Sequence, residues 1–303
     1  MTSTTQQTTR IPTHELASAT RAAPEITTPH RSAAASDRPA RATVAAGAPS
    51  LPTLVFVHGF LDSAASWTPL IETLRACGVD GVAWDLAGAG ARRNEAGPFT
   101  LARAVDDVAQ RLRTLDASTI CLVGHSMGAQ IAELVAQRMP DRVQALVLMT
   151  PTPLQGNTLP DAVRDMLRES GGNAEAQRMI RGNFSRTLPE DLLGRSVAAD
   201  QLMGVAAVRG YYDAFTTGTP EGYAACLFDG PTLVLGAAND PVIPQDLVQA
   251  IHAARFAHAQ LAFIENSGHW PQQEQVAQTA DALRAFVAAH FGQAQAIAAA
   301  ASE

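Results

Sequence analysis

Short apolar runs without polar alternation recur along this chain, separated by stretches of helical period. Leu54-Val55-Phe56-Val57 is the first, and it ends at His58-Gly59. Such a run fits a strand buried on both faces, the condition of a parallel sheet. Residues 79–84, 119–123 and 143–149 repeat it. Helical patterns lie between, at 67–76, at 101–115 behind a capping Thr100, and at 127–139 before Pro140. In the second of these Leu101, Val105, Val108 and Leu112 share one face. Parallel strands need crossovers of a dozen residues or so, and helices supply them. The expectation is an α/β fold with a mostly parallel central sheet flanked by helices.

The rhythm stops at Pro151. As far as Asp229 the pattern is helical only, in segments 161–169, 174–181, 190–215 and 221–227. It resumes with strands at 232–235 and 260–264 and helices at 246–254 and 276–290. The economical division is one sheet domain, residues 51–150 and 230–291, interrupted by a helical insertion at 151–229. Residues 1–50 are rich in Thr, Ala, Ser and Pro without apolar period, and are expected to form a disordered tail. They lack the apolar core of a secretory signal. Residues 292–303 read as an Ala-rich C-terminal tail.

Composition removes several chemistries. All 22 basic residues are arginine, and the chain has no lysine. A Schiff-base lysine, a phosphate-loop lysine and a Ser–Lys dyad are therefore excluded. A net charge of −7 argues against a nucleic-acid partner, which would want a basic stripe. No run approaches the roughly 20 apolar residues of a membrane span. Cys77, Cys121 and Cys226 match neither a disulfide framework nor a metal-ligand spacing, and Cys121 reads as a buried thiol. A cytoplasmic protein with no metal and no other cofactor is expected.

The most specific motif is Gly124-His125-Ser126-Met127-Gly128, placed where the third strand gives way to a helix. A strand that turns sharply into a helix strains its central residue, and side chains on the flanking positions would collide. Ser126 would thus stand above the sheet at a helix N-terminus, where free N–H groups favour negative charge. A serine hydroxyl needs a base, and the base an orienting group. His269, in Asn266-Ser267-Gly268-His269-Trp270-Pro271, and Asp240, in Asn239-Asp240-Pro241, both follow predicted strands at their carboxyl ends. The other histidines fit less well. His14 and His30 fall in the tail, His58 and His125 read as packed residues, and His252, His258 and His290 lie near helix ends. The backbone N–H of Phe60, after the first strand, and that of Met127 are candidate oxyanion donors.

These pieces together resemble the α/β-hydrolase superfamily. The matching residues are His58-Gly59-Phe60, Gly124 to Gly128, Asp240 with Pro244, Gly268-His269-Trp270 and the loop Asp85-Leu86-Ala87-Gly88-Ala89-Gly90, over about residues 52–291. The resemblance implies Ser126 as nucleophile, His269 as base and then acid, Asp240 as orienting carboxylate, and Phe60 and Met127 amides as oxyanion hole. It also implies that 151–229 is a helical cap. Two departures stand out. Residues 42–50 offer at most one weak strand where the family has a pair, and Ala91 follows the glycine loop where many relatives carry Ser.

The expected function is hydrolysis of a small-to-medium ester or thioester through an acyl-enzyme. The alternative is a carbon–carbon bond hydrolase, or a lyase like those of the menaquinone pathway, in which Arg164, Arg168, Arg178 and Arg181 would bind a carboxylate. Most cap arginines, however, read as solvated helix faces. A ligand-binding protein without turnover is the third reading. Met166, Met179, Phe184, Met203, Tyr211 and Tyr212 suit either an apolar substrate pocket or the insertion's own core.

Overall fold

The computed structural model describes residues 51–199 and 201–292. The tails expected at 1–50 and beyond 292, with His14, His30 and the weak strand at 42–50, lie outside the described residues. Six parallel strands form the sheet: β1 (Thr53–Val57), β2 (Gly81–Trp84), β3 (Ile120–His125), β4 (Ala145–Met149), β5 (Thr232–Ala237) and β6 (Gln260–Ile264). Their order is β2-β1-β3-β4-β5-β6. The chain steps from β1 outward to β2 and then crosses back to β3, so the order reverses between β1 and β3. A crevice at such a switch point, outside the strand carboxyl ends, is where open α/β sheets place ligands.

Every strand predicted from an apolar run is present, because helices cover both faces of the sheet. Val55, Val57, Leu122, Leu146 and Leu148 join one core, and Leu54, Phe56, Cys121, Val123 and Val147 the other. The first core takes α2 (Leu101–Thr114), α3 (Met127–Arg138) and α8 (Gln245–Arg255). The second takes α1 (Thr68–Ala76) and α10 (Val276–Val287), the latter preceded by one turn, α9 (Pro271–Glu274). Thr100 caps α2 as expected, its side chain accepting the Arg103 N–H at 3.2 Å.

Between β4 and β5 lie α4 (Asp161–Arg168), α5 (Ala174–Phe184), α6 (Glu190–Ser196) and α7 (Val205–Thr217). The single helix expected over 190–215 is thus two. The Met203 carbonyl accepts the Gly172 N–H at 2.9 Å and the Gln177 side chain at 2.8 Å, so it is unavailable to a continuous helix. The helix expected over 221–227 is only a 3-10 turn, Pro220–Tyr223. Arg255 reaches across to the carbonyls of Glu221 and Ala224, which a longer helix would need for itself. Ala91 proves no obstacle to the glycine loop, since its backbone N–H donates to Asp85 Oδ2 at 2.8 Å.

Candidate active site

Ser126 sits between β3 and α3 with φ 55° and ψ −119°, a region that costs a non-glycine residue about 1–3 kcal/mol. Its N–H donates to the Met149 carbonyl at 3.0 Å, which fixes the turn against β4. The two flanking glycines are required by contact. A Cβ on Gly124 would lie 2.2 Å from the Gly128 carbonyl oxygen, and one on Gly128 would lie 2.3 Å from that of Val57. The turn can be this tight only where neither position carries a side chain.

The structure brings His269 and Asp240 to the same place. Ser126 Oγ is 3.0 Å from His269 Nε2, and His269 Nδ1 is 2.7 Å from Asp240 Oδ2. Because a carboxylate oxygen accepts, Nδ1 carries the proton and the Nε2 lone pair faces the hydroxyl. The other carboxylate oxygen, Oδ1, accepts the N–H groups of Val242 at 2.8 Å and Ile243 at 3.0 Å. All three side chains are buried. Thr152 Oγ1 stands 3.3 Å from Ser126 Oγ, a neighbour that no local sequence pattern announced.

Neither His58 nor His125 reaches the serine hydroxyl. His58 accepts the Leu86 N–H on Nε2 at 3.0 Å and donates from Nδ1 to the Gly59 carbonyl at 2.9 Å, tying β1's exit loop to β2's. His125 donates from Nε2 to the His269 carbonyl at 2.6 Å, so it holds the backbone of the loop above it. Burial pushes the pKa of His58 below the ordinary 6.5. Burial pushes that of His125 well below it, reinforced by repulsion from His269. Both are neutral where they sit. Gly59 packs on the elbow, since a Cβ there would meet the Ser126 Cβ at 3.1 Å. The N–H groups of Phe60 and Met127 donate to no group among the described residues.

Over Ser126 and His269 lies a cavity of about 50 Å³. Its walls are mostly apolar, with Phe60, Leu167, Ile180, Phe184, Phe215 and Trp270 among them. Three of these belong to the helical insertion's α4 and α5. Of the six apolar residues weighed from sequence, only Phe184 faces this cavity. Tyr212 lines an outer cleft of about 570 Å³, and the two spaces share Asn157 and Leu159. Met203 and Tyr211 are buried in the core, while Met179 is exposed.

Most of the insertion's arginines are matched by carboxylates. Arg164 pairs with Asp161 and Asp165, Arg168 with Asp213 and Glu169, and Arg178 with Glu190. Arg181 differs in being buried. It bonds Asp62 Oδ1 at 2.7 Å, the Leu61 carbonyl at 3.2 Å and Gln273 at 2.8 Å, and its guanidinium lies 4.5 Å from the Trp270 ring centre. Among the described residues no group of His, Cys, Asp or Glu is arranged to hold a metal ion. Burial raises the Cys121 and Cys226 thiols to about 12, which leaves them unreactive. No helix among the described residues is long and apolar enough to cross a membrane.

A hydroxyl within hydrogen-bond reach of an imidazole, a carboxylate bracing that ring and two unpaired amides form an arrangement that suits attack on a carbonyl carbon. Comparison with known proteins is consistent with that chemistry. Residues 52–275 match the family described as alpha/beta hydrolase fold. The chain is 29% identical over 258 residues to the pimeloyl-(acyl-carrier protein) methyl ester esterase of Xanthomonas campestris pv. campestris, covering 78% of this chain and 96% of that one. It is 25% identical to the non-heme chloroperoxidase CPO-A1 of Kitasatospora aureofaciens, covering 71% and 84% respectively. Two solved structures share the fold. One is a bromoperoxidase from Bacillus anthracis, with TM-score 0.70, 18% identity and coverage of 78% and 91%. The other is a thermophilic esterase from Thermogutta terrifontis, with TM-score 0.65, 23% identity and coverage of 80% and 91%.

Proposed function

This chain belongs to the alpha/beta hydrolase fold family and is a hydrolase, and on that premise we propose that it cleaves a small, largely apolar carboxylic ester through an acyl-enzyme on Ser126. One observation carries the reading: the unbroken line Ser126 Oγ, His269, Asp240, at 3.0 and 2.7 Å, beneath an apolar cavity. Ser126 Oγ attacks the carbonyl carbon while His269 Nε2 takes its proton. Asp240 holds the ring in the tautomer that presents that lone pair and steadies the imidazolium that forms. The Phe60 and Met127 amides receive the oxyanion, an interaction worth roughly 3 kcal/mol per donor. His269 then returns the proton to the leaving alcohol. Water, activated by the same imidazole, releases the acid. In this scheme the helical segment 151–229 acts as a cap that dries the site and shapes the acyl pocket.

The alternative, a carbon–carbon bond hydrolase or lyase with an acidic substrate, loses support here. Such a substrate needs an uncommitted cation, and Arg181, the one arginine among the described residues lining the inner cavity, is already bonded to Asp62, Gln273 and Leu61. Ser126→Ala is expected to abolish p-nitrophenyl acetate turnover and covalent labelling by a fluorophosphonate. A panel that adds thioesters and acidic diketones separates the readings. Retained labelling of the alanine variant would overturn the assignment of the nucleophile.

A further inference from the structure

The loop that carries His269 is wound around a buried carboxylate. Glu274 ends α9 with only 8% of its surface exposed. Its Oε2 accepts the Gly268 N–H at 2.9 Å and its Oε1 the Trp270 N–H at 3.1 Å. The residues on either side of His269 thus aim their amides at one side chain. Oε2 also accepts the N–H groups of Arg186 at 2.6 Å and Thr187 at 2.8 Å, from the segment joining α5 to α6. The same two stretches of backbone touch directly. His269 N–H donates to the Phe184 carbonyl at 2.9 Å, and a Cβ on Gly268 would lie 2.6 Å from that carbonyl oxygen. A turn this tight cannot pair its amides within itself, and an ionised carboxylate is the strongest acceptor a side chain offers them.

We propose that Glu274 is a positioning residue for His269. Its carboxylate sets the turn that aims Nε2 at Ser126 Oγ, and the same bonds fasten the helical insertion to that turn. The proposal rests on the reading of His269 as the base. Glu274 does not line the cavity over Ser126, so it acts through His269 and not on the substrate. Charge and shape are both used: a glutamine at this position turns one acceptor into an NH₂ group facing backbone N–H donors.

Full-length Glu274→Gln, Glu274→Asp and Ser126→Ala proteins test this against p-nitrophenyl acetate. A misplaced base costs rate and not affinity, so Glu274→Gln is expected to lose about 10- to 100-fold in kcat with KM held within about twofold. Fluorophosphonate labelling should slow in step, and the low-field proton resonance of the His269 Nδ1–H should shift or vanish. Glu274→Asp, which keeps the charge one methylene short, should recover part of the rate. A kcat within about twofold of the parent in Glu274→Gln, even with a lowered melting temperature, overturns the proposal and leaves Glu274 a stability residue. If Glu274→Gln does not fold, Glu274→Asp carries the test, and an unchanged kcat there overturns it. Ser126→Ala keeps the two ideas apart, since full activity in that variant sinks the reading of the site itself.

Discussion

Ser126 is a residue whose backbone and side chain serve opposite ends. The φ of 55° costs stability, and the elbow that imposes it is what projects the hydroxyl. Ser126→Gly should therefore be inactive yet more stable, by about 1 kcal/mol once the flexibility of glycine in the unfolded chain is subtracted. Thermal denaturation of the variant beside its parent reads this directly, and a lower melting temperature would contradict it. His58 and His125 give a second prediction. Both have folded-state pKa values below 6.5, so the unfolded chain binds protons that the folded chain refuses. Stability is then full above that value and falls as pH drops through it, by up to about 1.4 kcal/mol per pH unit for each histidine. Unfolding by urea between pH 7.5 and 5 should show the decline, and His125→Asn should make it shallower. An unaltered slope in that variant would remove His125 from the account.

At the scale of elements, the buried pair Arg181–Asp62 links α5 of the insertion to the loop after β1. Leu61, whose carbonyl Arg181 also holds, has φ 53°, another strained residue directly after the Phe60 amide. Arg181→Met strands Asp62 without its partner in the interior, at a cost of about 3–5 kcal/mol. Adding Asp62→Asn should return much of that loss, because the two positions share one interaction. Additive losses in the double variant would mean that the pair is not the source. No sequence pattern announced this pair, and the reason is separation. Arg181 and Asp62 lie 119 positions apart, and Arg186 and Glu274 lie 88 apart, so each reads locally as an ordinary polar residue of a helix or loop. The inner strands of the sheet, β1, β3, β4 and β5, were legible for the converse reason. A strand buried on both faces writes its environment into four or five consecutive apolar residues, and the Gly124 and Gly128 constraint is written within five. The break at Met203 was illegible because distant donors on Gly172 and Gln177, not local propensity, hold its carbonyl.

At the scale of the molecule, the proposed reaction would have its substrate judged in two spaces set by the sheet's order and the insertion. The switch between β1 and β3 opens a crevice above Ser126, and the cavity of about 50 Å³ there is lined in part by Leu167, Ile180, Phe184 and Phe215 of the insertion. Room remains for a short apolar group beside the serine, while the outer cleft of about 570 Å³, which shares Asn157 and Leu159 with the inner cavity, is wide and flanked by Asp161 and Asp213. Chain length should thus be judged in the inner space and hardly at all in the outer one. Acetyl and propionyl esters are expected to exceed hexanoyl and longer ones in kcat/KM. Ile180, 2% exposed on the inner wall, is the residue to shorten. Ile180→Ala should raise the ratio of butanoyl to acetyl turnover by about tenfold, the worth of roughly one methylene in a fitted pocket. The same change leaves a cavity that costs about 2–5 kcal/mol of stability, so the assay belongs well below the melting temperature. A chain-length profile that does not move when the wall is cut back would place acyl selection in the outer cleft, with Tyr212 and Thr216 on its walls in place of Ile180.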